Sequence, residues 1–244
     1  MDKINMLDVV YEDNHLLIVH KPANVLSQGD NTNDINMVTL AKDYLRKKYN
    51  KPGNIYIGLL HRLDRPVSGL MALAKTSKAA QRLSEQLAKK EMKRNYFAVV
   101  QGNMQNQNIS DYLLQDSEGF VCVVPKGTAG AQFAQLQCTA LAHKDNTTLI
   151  YVELQTGRKH QIRVQLQNIG HSILYDMRYG QGVKGKQIAL FGASLKLVHP
   201  TTKEAMLFTA LPKIDSFKLY QTEIKEFLME LRKNHERNFS KTDI

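Results

Sequence analysis

Three pairs of short apolar segments, each pair joined by a turn, constrain the fold of this chain more than any other feature. The first pair turns at Asp13-Asn14, the second at Asp145-Asn146 and the third at Pro200-Thr201-Thr202. Short apolar runs that are bounded by Asn, Asp, Ser and Pro are typical of β-hairpins. The sequence therefore predicts a sheet in which most neighbouring strands are antiparallel.

Four other segments carry apolar residues at helical spacing and predict helices. They are residues 37–49, a segment that Thr76 or Ser77 can cap, a segment that ends at Gly170, and residues 216–233. The predicted fold class is α+β, with a mixed and largely antiparallel sheet in two halves flanked by helices. Residues 1–233 are predicted to form a single domain, and the polar residues 234–244 are predicted to be a frayed C-terminal tail.

The charge balance favours a polyanion as the partner of this chain. Among 244 residues, 33 are Lys or Arg and 23 are Asp or Glu, which gives a formal net charge of +10. Such a balance favours RNA or DNA, although a basic surface can also serve solubility alone. Two clusters of cations stand near predicted helix ends, where they also complement the helix dipole: Lys42, Arg46, Lys47, Lys48 and Lys51, and Lys89, Lys90, Lys93 and Arg94.

Neither end of the chain nor its interior predicts a membrane or an export signal. The first residues read MDKINMLDVVYED, with charges where a signal peptide needs an apolar run. No stretch approaches the roughly 18 apolar residues of a membrane span. Cys122 and Cys138 lie in apolar runs and are predicted to be small core residues, without metal ligands at useful spacing. The sequence thus predicts a cytoplasmic protein with no metal site.

A charged turn between two apolar runs is the candidate reactive site. Residues 61–69 read HRLDRPVSG and are followed by the apolar run 70–73. Pro66 stiffens the turn, and Gly69 allows the chain to enter the next strand. A rigid loop that projects Asp64 from a sheet suits a reactive group. The common alternative for such a group of charges is a structural ion pair.

A second charged segment offers a partner for this carboxylate. Residues 156–163 read TGRKHQIR, and the threonine is predicted to cap a helix whose first turns hold Arg158 and His160. Arg163 lies beside the buried stripe of this helix, so its guanidinium is predicted to be partly withdrawn from water and to need an anion. Asp64 is the candidate anion. The alternatives are a solvated helix face for the arginine and a structural role for His160.

Five motifs in order resemble the RluA-type family of RNA pseudouridine synthases. They are VVYEDNHLLIVHKPANVLS at 9–27, HRLD at 61–64 with Ser68-Gly69, KRNYFAVVQG at 93–102, LQTGRKHQIRVQLQNIGHSILYDMRYG at 154–180, and ASLKLVHPTTKEAMLFTALP at 193–212. One such motif is weak alone, but ordered matches over about four-fifths of the chain are specific. The resemblance implies a pseudouridine synthase fold with a central active-site cleft.

The resemblance also implies an activity and roles for particular residues. The chain is expected to isomerise uridines of ribosomal or transfer RNA to pseudouridine, without a metal and without a cofactor. Asp64 is expected to be the catalytic carboxylate, Tyr96 to lie against the flipped uracil, and Arg163 to pair with Asp64. RNA contacts are expected from five basic side chains: Lys21, Arg62, Arg65, Arg158 and His160.

The chain departs from the family pattern at three places. Pro66-Val67 replaces a polar pair, and Ser172 stands where many relatives have proline; both changes could affect target choice. The first motif begins at about Asp8, so no N-terminal S4 domain is expected, and a monomer is the default expectation.

Two other functions remain open at the level of sequence. The first is a non-catalytic RNA-binding protein that retains the fold. The second is a glycosyl hydrolase, which would need a second carboxylate within about 5–10 Å of Asp64. If the chain is a pseudouridine synthase, Asp64 could attack C1′ or remove a proton from the ribose.

Overall fold

The chain is built as two compact units, each made of two separate stretches of sequence. The computed structural model describes residues 7–32, 34–50 and 52–239, with side chains described to residue 237. The first unit contains the described residues up to Arg94 together with 194–210, and the second contains 95–193 and 211–239. A single domain over 1–233 stays a prediction, and the predicted surface residue Lys51 lies outside the described residues.

The first unit has five strands with antiparallel neighbours. They are β1 (Asp8–Glu12), β2 (Leu16–Lys21), β3 (Gly58–Leu59), β4 (Ser68–Ala74) and β11 (Ala205–Thr209), with the end of β10 (Leu190–Val198). β1 pairs with β2, β2 and β3 both pair with β4, and β10 pairs with β11. Both predicted hairpins of this unit are confirmed. All seven residues of β4 are buried, so the candidate turn that precedes it is attached to the core.

Two capped helices complete the first unit. α1 (Met37–Tyr49) begins where the Asn36 side chain accepts a hydrogen bond from Thr39 N at 3.0 Å, which is the usual N-cap arrangement. α2 (Ser77–Ala88) begins in the same way at Thr76, whose hydroxyl accepts from Ala79 N at 3.2 Å. The predicted bounds of α1 and the predicted cap of α2 are both confirmed.

Side-chain hydrogen bonds connect the β10–β11 hairpin to α2 and to the turn between β1 and β2. Gln86 of α2 donates to the carbonyl of Val198 at 2.7 Å and accepts from its N–H at 2.9 Å. The His199 ring donates from Nε2 to Asp13 at 2.6 Å, since its Nδ1 accepts the N–H of Thr202. The β10–β11 hairpin is therefore part of the same core as the first hairpin.

One lysine of the first basic cluster takes part in a structural group around Glu12. The ammonium groups of Lys48 and Lys75 each lie 2.6 Å from the Glu12 carboxylate, and the hydroxyls of Tyr44 and Tyr49 donate to it at 2.8 and 2.7 Å. Burial alone would raise the pKa of Glu12, but these donors lower the pKa to about 2. Lys48 therefore stabilises the fold here and is a weaker candidate for a phosphate contact.

The second unit is a five-stranded antiparallel sheet with helices on both faces. Its strands are β5 (Lys93–Gln101), β6 (Gln107–Gln115), β7 (Val121–Val124), β8 (Gln132–Lys144) and β9 (Thr147–Leu154). They lie in the order β5-β9-β8-β6-β7. The hairpin predicted at Asp145-Asn146 is confirmed. Cys138 is buried as predicted, but Cys122 is exposed, because the alternation of β7 turns Val121 to the core and Cys122 to the opposite face.

Two helices cover opposite faces of this sheet. α3 (Gln161–Asn168) packs Val164 against Ala134 of β8. α4 (Gln221–Phe239), which follows a 3-10 helix at Asp215–Tyr220, packs Phe227 against Phe97 and Tyr151. The prediction of a frayed tail from Asn234 is wrong up to Phe239, because an exposed helical turn needs no apolar residues; residues 240–244 lie outside the described residues.

No helix within the described part of the chain is long and apolar enough to cross a membrane.

Candidate active site

The turn that carries Asp64 is fixed by hydrogen bonds on both sides of the carboxylate. The Ser27 hydroxyl donates to the Leu63 carbonyl at 2.7 Å and accepts from the Leu63 N–H at 3.0 Å. The N–H of Val67 donates to the Asp64 carbonyl at 3.0 Å and closes the turn. Asp64 itself is half-buried. The structure therefore presents this carboxylate from a rigid turn, as the sequence predicts.

His61 is a neutral structural residue in this turn. Its Nε2 accepts the N–H of Ala72 at 3.0 Å, so the ring proton lies on Nδ1. Burial, with a smaller contribution from Arg94, lowers the pKa of His61 to about 3. This histidine therefore fixes the turn to β4 and adds no positive charge beside Asp64 at neutral pH.

Lys21 holds the backbone beside Asp64 from within the core. The side chain is fully buried, and its Nζ donates to the carbonyls of Pro22 and Arg65 at 2.9 and 3.1 Å. The predicted contact between Lys21 and RNA phosphates conflicts with this burial. A lysine can reach inward from a strand end when backbone carbonyls receive its three N–H donors. Burial lowers the pKa of Lys21 to about 7, although the Asp64 carboxylate acts in the opposite direction.

This lysine should make stability depend on pH. Its folded-state pKa lies below the unfolded-state value, so the folded protein loses the proton first and stability rises with pH between about 7 and 10. Relative to Lys21→Met, the wild type should gain about 2 kcal/mol of unfolding free energy from pH 7 to pH 9. Urea titrations at both pH values measure this difference. Lys126→Met, at an exposed position, is the control and should follow the wild type; parallel curves for Lys21→Met would contradict the assignment.

Two arginines of the same turn are exposed to solvent. Arg62 has no ion pair among the described salt bridges, and Arg65 pairs with Asp34 at 2.8 Å on the surface. The Arg65 carbonyl accepts the N–H of Asn24 at 2.7 Å. Their guanidinium groups are therefore accessible to a polyanion, and RNA contacts by Arg62 and Arg65 stay a prediction.

Arg163 lies in the second unit and is buried, as its place in the apolar stripe predicts. It is 5 % exposed, and it donates from Nε and Nη2 to the two carboxylate oxygens of Asp176 at 2.8 and 2.7 Å. Sequence reasoning did not identify Asp176 as a partner. A guanidinium has five N–H donors, so this pair is compatible with a second carboxylate. The pairing of Arg163 with Asp64 stays a prediction.

The helix that carries Arg163 begins later than predicted. α3 starts at Gln161, after His160 in a left-handed conformation with φ of 52°, and no side chain caps it. Thr156 does not cap the helix because its hydroxyl donates to the Gln161 side chain at 2.8 Å. The Gln161 side chain also accepts the N–H of Arg158 at 3.0 Å, so the loop before the helix is ordered.

Arg158 and His160 therefore precede the helix, and the prediction that they lie in its first turns is wrong. Arg158 is exposed and donates to the Phe133 carbonyl at 3.0 Å. Nδ1 of His160 lies 2.8 Å from the hydroxyl of Tyr179. RNA contacts by Arg158 and His160 stay predictions, and the exposed Arg158 is the more accessible of the two.

Tyr96 and Arg163 lie on the same side of the sheet of the second unit. Tyr96 in β5 is opposite Val152 of β9, which is opposite Cys138 of β8. Directly opposed residues in antiparallel strands point to one face, and residues two apart along a strand share it. Cys138 shares its face with Ala134, against which α3 packs. The Tyr96 side chain therefore lies on the face that α3 covers.

The three predicted catalytic residues are divided between the units: Asp64 belongs to the first, and Tyr96 and Arg163 belong to the second. Each lies on an element that packing and hydrogen bonds hold in place. Among the described residues, no group of three or more His, Cys, Asp or Glu side chains is placed to hold a metal ion. The sequence indicated only that a buried Arg163 needs an anion and that the segment 154–180 contains an aspartate, Asp176; it did not specify that the two would pair.

Comparison with known proteins identifies the family. A family model described as RNA pseudouridylate synthase matches residues 15–168, more than half of the chain, and this stretch contains Asp64, Tyr96 and Arg163. The chain is 35 % identical to the Uncharacterized RNA pseudouridine synthase YhcT of Bacillus subtilis, over 84 % of this chain and 68 % of that protein.

Relatives named Ribosomal large subunit pseudouridine synthase C are similarly close. The chain is 30 % identical to the one from Buchnera aphidicola of Schizaphis graminum, over 85 % of this chain and 68 % of the relative. It is 33 % identical to that of Escherichia coli K12, over 83 % of this chain and 65 % of the relative. The chain thus spans about two thirds of the length of these relatives.

Two solved human structures show the same fold. Human RNA Pseudouridylate Synthase Domain Containing 1 aligns with a TM-score of 0.68 at 23 % identity, over 87 % of this chain and 86 % of that one. Human RNA Pseudouridylate Synthase Domain Containing 4 aligns with a TM-score of 0.71 at 17 % identity, over 89 % and 93 % of the two chains. The predicted fold class is confirmed. The chain belongs to the RNA pseudouridylate synthase family and is an RNA pseudouridine synthase, an isomerase that acts on RNA.

Proposed function

We propose that this enzyme isomerises specific uridines of ribosomal RNA, with Asp64 as the catalytic carboxylate. The rigid turn that presents the half-buried Asp64 within the family-matched segment carries this proposal. The names of the large-subunit synthases favour ribosomal RNA as the substrate, and transfer RNA is the second candidate. The enzyme would work as a monomer in the cytoplasm.

The reaction requires the uridine to leave its stack before the carboxylate can reach the sugar. Extrusion of a base costs a few kcal/mol. Phosphate contacts can offset this cost, and the proposed contacts are the exposed Arg62, Arg65 and Arg158 together with His160. Lys21 is left out of this set because its ammonium group faces backbone carbonyls inside the core.

At the extruded uridine, Asp64 and Tyr96 have different proposed roles. Asp64 either bonds to C1′ or removes a proton from the ribose, and in both routes the N1–C1′ bond breaks and the electrons pass to N1. The uracil then turns and C5 bonds to C1′, while the bond from Asp64 to C1′ breaks on the first route, or Asp64 returns the proton to the ribose on the second. Loss of the proton from C5 to Tyr96 and gain of a proton at N1 complete an isomerisation in which nothing is added to the RNA. Arg163 would pair with the Asp64 carboxylate.

Release of the C5 proton provides a direct test. Transcripts of large-subunit ribosomal RNA and of transfer RNA, labelled with tritium at C5 of uridine, should lose tritium to water when incubated with the enzyme. Sequencing of pseudouridines in RNA from cells with and without the protein would then locate the site. RNA binding without tritium release from any cellular RNA would favour the non-catalytic alternative.

Tyr96→Phe should slow the reaction while leaving RNA binding nearly unchanged. The phenyl ring still stacks on a base, but the hydroxyl that accepts the C5 proton is lost, so we expect the single-turnover rate to fall about 100-fold. The control is Tyr151→Phe on the neighbouring strand, whose hydroxyl accepts from Asn95 at 2.8 Å and whose ring packs against α4. An unchanged rate for Tyr96→Phe would limit this tyrosine to packing.

A further inference from the structure

We propose that Asp176 is a positioning residue for this reaction, because it fixes the guanidinium of Arg163 in the orientation that serves the reacting carboxylate. The inference rests on the proposed function, in which Arg163 pairs with Asp64. No contact between Asp176 and the substrate is required. Asp176 lies beyond the segment that the family model matches, within the loop that joins α3 to β10.

The carboxylate of Asp176 is itself held rigidly. It is fully buried, and Oδ1 accepts the backbone N–H groups of Arg178 and Tyr179 at 2.9 and 3.2 Å as well as Nη2 of Arg163 at 2.7 Å. Oδ2 accepts Nε of Arg163 at 2.8 Å. Backbone donors lower the pKa of Asp176 together with Arg163, against the effect of burial. The Asp176 carboxylate is therefore ionised and held in one orientation.

A second side chain, Tyr179, contacts the same guanidinium. The ring of Tyr179 lies 5.1 Å from the central carbon of the Arg163 guanidinium. The Tyr179 hydroxyl lies 2.8 Å from His160 Nδ1 and accepts the N–H of Val121 at 3.0 Å. Arg163 is thus bound along its Nε–Nη2 edge by Asp176, and its guanidinium lies over the ring of Tyr179. A planar group held in these two ways has little freedom left to turn.

This geometry predicts that Asp176 affects the rate of the chemical step, because the rate depends on how accurately the charged groups near the substrate are positioned. A misplacement of about 1 Å at a charged pair can cost about 100-fold in rate. Stability alone is a weaker explanation, since a buried ion pair is weak evidence for stability. The bidentate geometry, which a lysine at position 163 could not reproduce, is the feature that a positioning role requires.

Two variants test the inference through the rate of the chemical step. Asp176→Asn keeps the size of the side chain and removes its charge, and Asp176→Glu keeps the charge and displaces it by one methylene. We expect single-turnover tritium release to fall about 10- to 100-fold for both, with RNA dissociation constants within about threefold of wild type. If Asp176→Asn fails to fold, Asp176→Glu decides; a wild-type rate in either folded variant would overturn the proposal.

A double-mutant cycle separates this role from a general structural one. If Asp176 acts only through Arg163, then Arg163→Gln/Asp176→Asn should react no more slowly than Arg163→Gln alone. Independent, multiplicative losses would overturn the proposal. Asp13→Asn is the control, because Asp13 also accepts two backbone N–H groups, both at 2.7 Å, together with side-chain donors from Tyr11 and His199. That variant should lose stability and keep the rate of the chemical step.

The failure of this inference is distinguishable from that of the proposed function. An inactive Asp64→Asn with a fully active Asp176→Asn would leave Asp64 as the catalytic carboxylate and remove the positioning role. An active Asp64→Asn would instead contradict the proposed function itself.

Discussion

Asp64→Asn should lower the single-turnover rate of pseudouridine formation at least about 100-fold while leaving RNA affinity within about twofold. Asparagine has nearly the same shape as aspartate, so the turn between Leu63 and Val67 keeps its hydrogen bonds. The neutral amide can neither bond to C1′ nor accept a proton from the ribose. The loss therefore falls on chemistry and not on binding.

Tritium release from C5 measures the rate, and a filter-binding titration of the same RNA measures affinity. Asp34→Asn is the matched control, since Asp34 is a carboxylate of the same unit that pairs on the surface with Arg65. It should retain the wild-type rate of the chemical step. A rate above one hundredth of wild type for Asp64→Asn would count against Asp64 as the reacting group.

Arg163→Ala should damage stability and activity together. The substitution leaves Asp176 fully buried without its bidentate partner, and breaking a buried ion pair in this way costs about 3–5 kcal/mol. Activity should fall as well, because the proposed partner of Asp64 is lost. Urea unfolding measures the first effect and single-turnover kinetics the second.

The two effects separate in a double variant. Arg163→Ala/Asp176→Ala removes the uncompensated charge, so it should be more stable than Arg163→Ala and remain inactive. Wild-type stability and rate in Arg163→Ala would show that pairing with Asp176 does not stabilise the protein and that the proposed pairing with Asp64 does not serve catalysis. Recovery of activity in the double variant would contradict the role of Arg163 toward Asp64.

Local signals made the helices and hairpins predictable where side chains cap or terminate them. Residues 37–49 are helical as predicted because Asn36 caps the start and Asn50 adopts the left-handed conformation that ends the helix. β6 was not predicted, because the polar Asp111 stands between the buried Ile109 and Leu113 on the same face, so the apolar residues do not alternate regularly. The start of α3 was misplaced because the Gln161 side chain occupies the donors that a cap at Thr156 would use.

For the candidate site, the sequence predicted which side chains are buried but not which groups they contact. A buried Arg163 follows from its place in an apolar stripe, and the structure confirms the burial. The identity of its partner Asp176 depends on how the loop after α3 returns, which no local pattern specifies. The inward direction of Lys21 likewise depends on carbonyls of Pro22 and of the distant Arg65, so the sequence alone suggested a surface cation.

The position of the β10–β11 hairpin in the sequence determines when this enzyme can fold during its synthesis. Because residues 194–210 complete the core that holds the Asp64 turn, a ribosome must translate the message as far as Ala210 before that core can close. The bonds from Gln86 to Val198 and from His199 to Asp13 join segments made far apart in time. A polypeptide released prematurely before Ser194 would therefore carry Asp64, Tyr96 and Arg163 and still lack a finished enzyme.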